Sequence, residues 1–231
     1  MEFDPILLLY IPVFLFSLTV HEFSHAWTAH SGGDRTSSYL GRMTLNPVAH
    51  IDPVGTVALP LIALFTGMPL FGWAKPVPVN ELRLKTGKWL VYVSLMGPAS
   101  NLMIVFIVAM IMKAAIIFGG PAAVLDLLVG RSADSPRELL FLLGRMFIQV
   151  NFALAIFNMI PIPPLDGSSL VYHYFIRSNY RRQMIWMQLT RTGASFVLLF
   201  FMINYLPPLR ALLYLAYTRP VQAVISWVAG A

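Results

Sequence analysis

The residues best suited to chemistry are His21-Glu22-Phe23-Ser24-His25. Two histidines at i and i+4 share one helical face, so both imidazoles can reach one metal ion. Glu22 stands beside them, placed to take a proton from water that a metal has made acidic; zinc lowers the pKa of its water to about 7. The pattern belongs to metal-assisted hydrolysis. Its plainer reading is a helix end at headgroup level, where His and Glu meet water. A catalytic zinc takes three protein ligands and keeps a fourth position open. The chain has no cysteine, so the third ligand must be His, Asp or Glu. The other histidines are His30, His50 and His173, and Asp166 stands out among the acids. It follows Pro161-Ile162-Pro163-Pro164-Leu165, where prolines end the preceding helix. Broken backbone at membrane depth survives only where it lines a cavity or is buried in protein. Asp166 also suits a turn before Gly167 or the N-cap of a following helix. Residue types alone leave that choice open.

Such groups need a scaffold that holds them together in lipid. Of 231 residues, 58% are hydrophobic and 11% charged, where soluble domains carry about a quarter charged. The reading is an all-α polytopic membrane protein with about five to six hydrophobic segments, since roughly 20 apolar residues make one crossing. These run from Pro5 to Ala29, Val54 to Trp73, Trp89 to Phe118, Leu139 to Ile160, Ser168 to Ile176 and Ser195 to Tyr217. Pro60, Gly67 and Pro69 interrupt the second, which suits a segment that re-enters and leaves on one side. Ser31 to Pro53 reads as short strands and turns, Gly119 to Pro136 as a loop, and Arg177 to Thr192 as a basic connection. The acidic Met1-Glu2-Phe3-Asp4-Pro5 start and the absence of a small-residue cleavage site make Ile6 to Val20 a retained membrane helix. No repeat or second soluble domain shows, so residues 1–231 read as a single membrane-embedded domain. The net charge of +6 sits in short loops, which fits anionic headgroups rather than nucleic acid.

Longer motifs carry a resemblance. They are the His21 to His25 cluster; Gly41-Arg42-Met43-Thr44-Leu45-Asn46-Pro47-Val48-Ala49-His50-Ile51-Asp52-Pro53-Val54-Gly55-Thr56; Gly72-Trp73-Ala74-Lys75-Pro76-Val77-Pro78-Val79-Asn80; Gly97-Pro98-Ala99-Ser100-Asn101; and Asn158 through Gly167. In this order the chain resembles the site-2 protease family of intramembrane zinc metalloproteases, in the subgroup without added soluble domains. The resemblance implies one zinc ion held by His21, His25 and Asp166, with Glu22 as general base. It implies substrates that are membrane proteins with a transmembrane segment, met within the lipid bilayer. Ser168 stands where the family often has a second glycine, which touches helix entry rather than ligation.

Supporting positions carry two readings each. Asn158 either bonds substrate backbone or the developing oxyanion, or caps its helix. Asn101 either touches substrate or bonds a neighbouring helix, and His50 either donates near the site or is structural. Lys75 either folds toward the site or anchors in headgroups; Arg145, costly at a helix centre, should snorkel or pair. If Val54 to Trp73 re-enters, segments 31–53, 74–88 and 177–192 share one face and hold 10 of the 16 basic residues. That face is expected to be cytoplasmic, in a multi-pass protein of the cell membrane with the site nearer the cytoplasm. The rival functions are an ion transporter, or a catalytically inactive membrane binding protein, built on the same polar cluster.

Overall fold

The computed structural model describes residues 5–66, 72–129, 135–191 and 205–230. Every regular element among them is helical. A 3-10 turn over Pro5–Leu9 leads into α1, Tyr10–Ser31. Pro12 falls in the first turn, where its missing N–H costs nothing. Further along, the Ser17, Thr19, Ser24 and Thr28 hydroxyls each return to the carbonyl four residues back at 2.7 Å. That satisfies polar groups inside an apolar environment.

The strands expected over Ser31 to Pro53 are not there. This stretch, fully described, holds the short helix α2 (Thr36–Tyr39), a 3-10 turn over Pro47–His50, and the start of a π-helical turn at Pro53–Ala58. Short polar side chains claim the backbone donors that a strand ladder would use. Asn46 accepts from the Val48 N–H, and Asp52 accepts from those of Val54 and Gly55. Pro47 and Pro53 have no donor to offer. The helix α3, Leu59–Thr66, follows. The chain then returns to where it left: the Trp73 N–H donates to the Gly55 carbonyl at 3.1 Å, and the Thr56 hydroxyl to the Trp73 carbonyl at 2.7 Å.

Two long helices come next. α4, Lys88–Val129, breaks only at Gly120, whose φ is 67°. Residues 121–129, expected as loop, are helical; a proline at the restart followed by Ala and Leu favours that. α5 spans Pro136–Asn158, with Ser135 capping the Glu138 N–H. α6, Gly167–Val171, continues as a π-helical turn over Tyr172–Ile176. The basic connection is itself mostly helix: α7, Tyr180–Arg191, is capped by Asn179 and rich in Arg, Gln and Met, all good helix formers. α8, Pro207–Ala229, runs well past the expected end at Tyr217. Residues 195–204 of that sixth segment lie outside the described residues.

Lys88–Gly120 and Pro136–Asn158 are long and apolar enough to cross a membrane. Only 22% of the most apolar 18-residue stretch of the first is buried within the fold, and Phe106, Ile117 and Phe118 stand exposed on that helix. A soluble core helix would hide those side chains. α5 is the central post. Phe141 and Ile148 join Val105 and Met112 of α4 and Val221 and Val228 of α8 in one core. Leu142, Met146, Val150 and Leu154 join Val13, Phe14 and Leu18 of α1 in the other. Clamping α1 and α4 to one helix fixes the register between them, on which the polar site depends.

Candidate active site

α1 brings the two histidines of the motif onto its buried face. Their Nε2 atoms stand 3.0 Å apart. Asp166, at the end of the proline-rich turn after α5, meets them: Oδ2 is 3.1 Å from His21 Nε2 and Oδ1 is 3.3 Å from His25 Nε2. The turn reaches in because Gly167 packs against backbone; a Cβ there would stand 2.3 Å from the Met159 carbonyl oxygen.

The outer nitrogens decide what the inner ones can be. His21 Nδ1 lies 2.6 Å from Asn101 Oδ1, and His25 Nδ1 lies 2.7 Å from the Val93 carbonyl. The amide of Asn101 is oriented by its neighbours, since Nδ2 donates to Asn151 Oδ1 at 2.8 Å. Asn151 Nδ2 in turn donates to the Ser17 hydroxyl at 2.9 Å. Both histidines therefore donate outward from Nδ1, which leaves each Nε2 a bare lone pair in the neutral ring. Two such lone pairs and a carboxylate converge on one point. Asp166 Oδ2 is accordingly a buried acceptor without a hydrogen-bond donor. An all-acceptor cluster of this kind asks for a cation.

His21, His25 and Asp166 are the group that could hold it, with one ligand atom each within 4.8 Å of one another. Nitrogen and oxygen ligands about 2.0–2.1 Å from a tetrahedral zinc stand roughly 3.3 Å apart. The three separations are close to that, so the residues present fit a zinc ion.

Room is made by Gly97 of α4, since a Cβ there would lie 2.4 Å from His25 Nε2 and 2.6 Å from His21 Cε1. The cluster opens on a cavity of about 490 Å³, walled also by Glu22, Val77, Phe157 and Asn158. Glu22 Oε2 accepts the Val77 N–H at 2.9 Å. Pro76 and Pro78 carry no N–H, so Val77 is the one donor of that three-residue stretch.

Residues 9–202 match the family model described as Peptidase family M50. The chain belongs to the M50, or site-2 protease, family. The M50 chain is 36% identical over 156 residues to "Putative zinc metalloprotease YwhC" of Bacillus subtilis, covering 67% of this chain and 64% of that protein. It is 30% identical over 163 residues to a protein named in the same way, Rip2 of Mycolicibacterium smegmatis, covering 70% and 55%. For Rip2 of Mycobacterium tuberculosis H37Rv the identity is 29% over 196 residues, covering 84% and 65%. The chain thus spans under two thirds of the length of these relatives. No solved structure matches it significantly.

Within this M50 fold the supporting candidates separate. Asn158 is on the cavity wall, with Nδ2 donating to the Leu154 carbonyl of its own helix at 3.0 Å. Asn101 is fully buried behind His21, so packing directs it to the histidine rather than to substrate. His50 is also 2% exposed; its Nε2 meets the Thr44 carbonyl at 2.9 Å, and its own carbonyl accepts the Lys75 N–H. His50 is not among the residues that line the cavity, and its Nδ1 is buried without a partner. Sequence reasoning did not select Ser17, Val93 or Val77. Ser17 had a signal, being one helical turn before His21 on the same face; a backbone carbonyl or N–H has none.

Proposed function

We propose that this chain is an intramembrane zinc endopeptidase that hydrolyses peptide bonds in or near the transmembrane segments of membrane proteins. The observation that carries the reading is the convergence of His21 Nε2, His25 Nε2 and the Asp166 carboxylate beside Glu22, at the wall of one cavity. When bound by those three residues, zinc supplies a Lewis acid that acidifies water and polarises the scissile carbonyl. Glu22 takes the proton of the attacking water as general base and later delivers it to the leaving amine. The Val77 N–H holds one oxygen of that carboxylate in place. Asn158 offers an amide to the substrate backbone or to the oxyanion. Asn101 and the Val93 carbonyl keep both imidazoles in the tautomer that presents Nε2.

Depth agrees with a site within lipid. At 1.5 Å per residue, His21 and His25 lie about 16 and 22 Å along α1 from Tyr10, past the middle of a hydrocarbon layer about 30 Å thick. The chain is read as a multi-pass protein of the cell membrane and one domain over residues 1–231, with five to six segments. The bridge between Gly55 and Trp73 supports re-entry of the segment between them. The site then lies nearer the cytoplasmic face.

Glu22→Gln tests the role of the base. The purified variant should keep its zinc and lose cleavage of a single-span substrate by about 10²–10⁴-fold, the usual worth of general base catalysis. Undiminished proteolysis would remove Glu22 from the mechanism. Elemental analysis of Asp166→Ala should show zinc lost, and equal zinc in both proteins would take Asp166 out of the ligand set.

A further inference from the structure

A second cavity of about 470 Å³ adjoins the first, between α1, α5 and α8. The two share Gly72, Leu154 and Phe157 in their walls. Half of its remaining walls are aromatic, with Tyr10 and Phe14 from α1 and Tyr217 from α8, and the other half is Gln149, Val150 and Ala153 of α5. None of the described residues lining it is charged. The Tyr10 hydroxyl is engaged, donating to Gln149 Oε1 at 2.9 Å. A charged guest would lose its hydration here with no ionised group in the lining itself, Arg145 standing outside it within electrostatic reach of Tyr10. An apolar side chain gains area, and an aromatic one also gains ring-to-ring contacts.

We propose that this second cavity is a specificity subsite of the active site, taking one large apolar side chain, aromatic by preference, from a substrate residue next to the bond that is cut. The inference rests on the peptidase reading. A peptide unwound across His21, His25 and Asp166 advances about 3.3 Å per residue and points successive side chains to opposite sides. A residue one or two positions from the scissile bond therefore reaches past Phe157 and Leu154 into the adjoining space. Volume agrees, since ligand sites of this kind fall at about 300–1,000 Å³. Catalysis and selection then use different walls. The zinc-ligating residues and Glu22 act on the peptide bond, while Phe14 and Tyr217 sort what is attached beside it.

The test uses the full-length protein purified in detergent and synthetic single-span peptides, leucine-rich with a central Asn-Gly helix break. Ala, Leu, Phe and Trp are placed in turn at each position flanking the cut, and kcat/KM is read by mass spectrometry. Wild type should prefer Phe over Ala by about tenfold or more at one flanking position, as apolar pockets discriminate by size. Ala153 lines the second cavity and not the first, so Ala153→Trp should collapse that ratio toward one. Tyr217→Ala should shift it the other way, making Trp the favoured residue. Zinc content reports whether each variant is folded, and if one fails, the other still decides. A Phe-to-Ala ratio unmoved by both folded variants would overturn the subsite, as would a lipid chain filling this space with no effect on selectivity. If wild type cuts none of the peptides, the peptidase reading fails and takes the subsite with it.

Discussion

At the scale of single residues, His21, His25 and Asp166 bring their ligand atoms together, yet the orientation of both imidazoles is set one layer out. Asn101 has only one carbonyl oxygen to give His21, and it is aimed there because Asn151 and the Ser17 backbone occupy its amide nitrogen. Replacing Asn101 with Ala should leave the protein folded and weaken zinc binding about 10–100-fold, the usual cost of losing an outer partner of a ligating histidine. Competition against a chelator of known affinity measures it; an unchanged zinc affinity would make the contact incidental. Sequence could name His21, Glu22 and His25 because hydrolysis demands those types at helical spacing. Asp166 needed the resemblance, since by itself it passes for a turn residue. Asn101 and Val93 were not legible as partners of the histidines. They approach across more than sixty positions of chain, and such pairing exists only after α4 has packed on α1.

At the scale of elements, the question is what keeps α1 and α4 in register. Cores along α5 do most of it, and Asp34 ties the ends. Its Oδ1 accepts the Thr36 N–H and hydroxyl, and its Oδ2 accepts the Asn80 N–H at 2.6 Å, while the Lys85 N–H returns to the Gly32 carbonyl. Burial pushes the Asp34 carboxyl up, but the Thr36 and Asn80 hydrogen bonds, with nearby Arg83, outweigh it and hold the group below its ordinary value. A carboxyl depressed on folding stabilises above its unfolded pKa of about 3.9, and the benefit drains away as pH falls through that value toward the folded one. Between about pH 6 and pH 3 the wild type should therefore lose more thermal stability in micelles than Asp34→Asn, whose tie does not titrate. Parallel losses in the two would show that Asp34 contributes nothing by its charge. The same region explains the missing strands. Alternation of residue types over 31–53 did not reveal that Asn46, Asp52 and Asp34 would each take backbone donors for themselves. Long apolar runs were easier to place, because lipid leaves them little choice but a helix.

At the scale of the whole molecule, three basic stretches far apart in sequence come together. Asp34 bonds Asn80, the Lys75 N–H bonds the His50 carbonyl, and the Arg177 guanidinium lies directly against Gly87. Segments 31–53, 74–88 and 177–191 thus meet on one face of the fold, as the proposed topology requires. Because the chain has no native cysteine, single cysteines can report sidedness cleanly. Cysteines at Ser38, Glu81 and Ser178 should all be blocked by an impermeant thiol reagent only after the cytoplasmic face is opened, and a split among the three would refute the shared face. Fold and site also meet at one atom that is absent. Gly97 lets α4 lie against both imidazoles with no side chain between them. A single methyl group at that position should push both imidazoles aside, and so disable the proposed site, while sparing every residue that names it. Surveys that judge activity by the histidines, glutamate and aspartate alone would then count pseudoenzymes as active, and the glycine is the letter to read first.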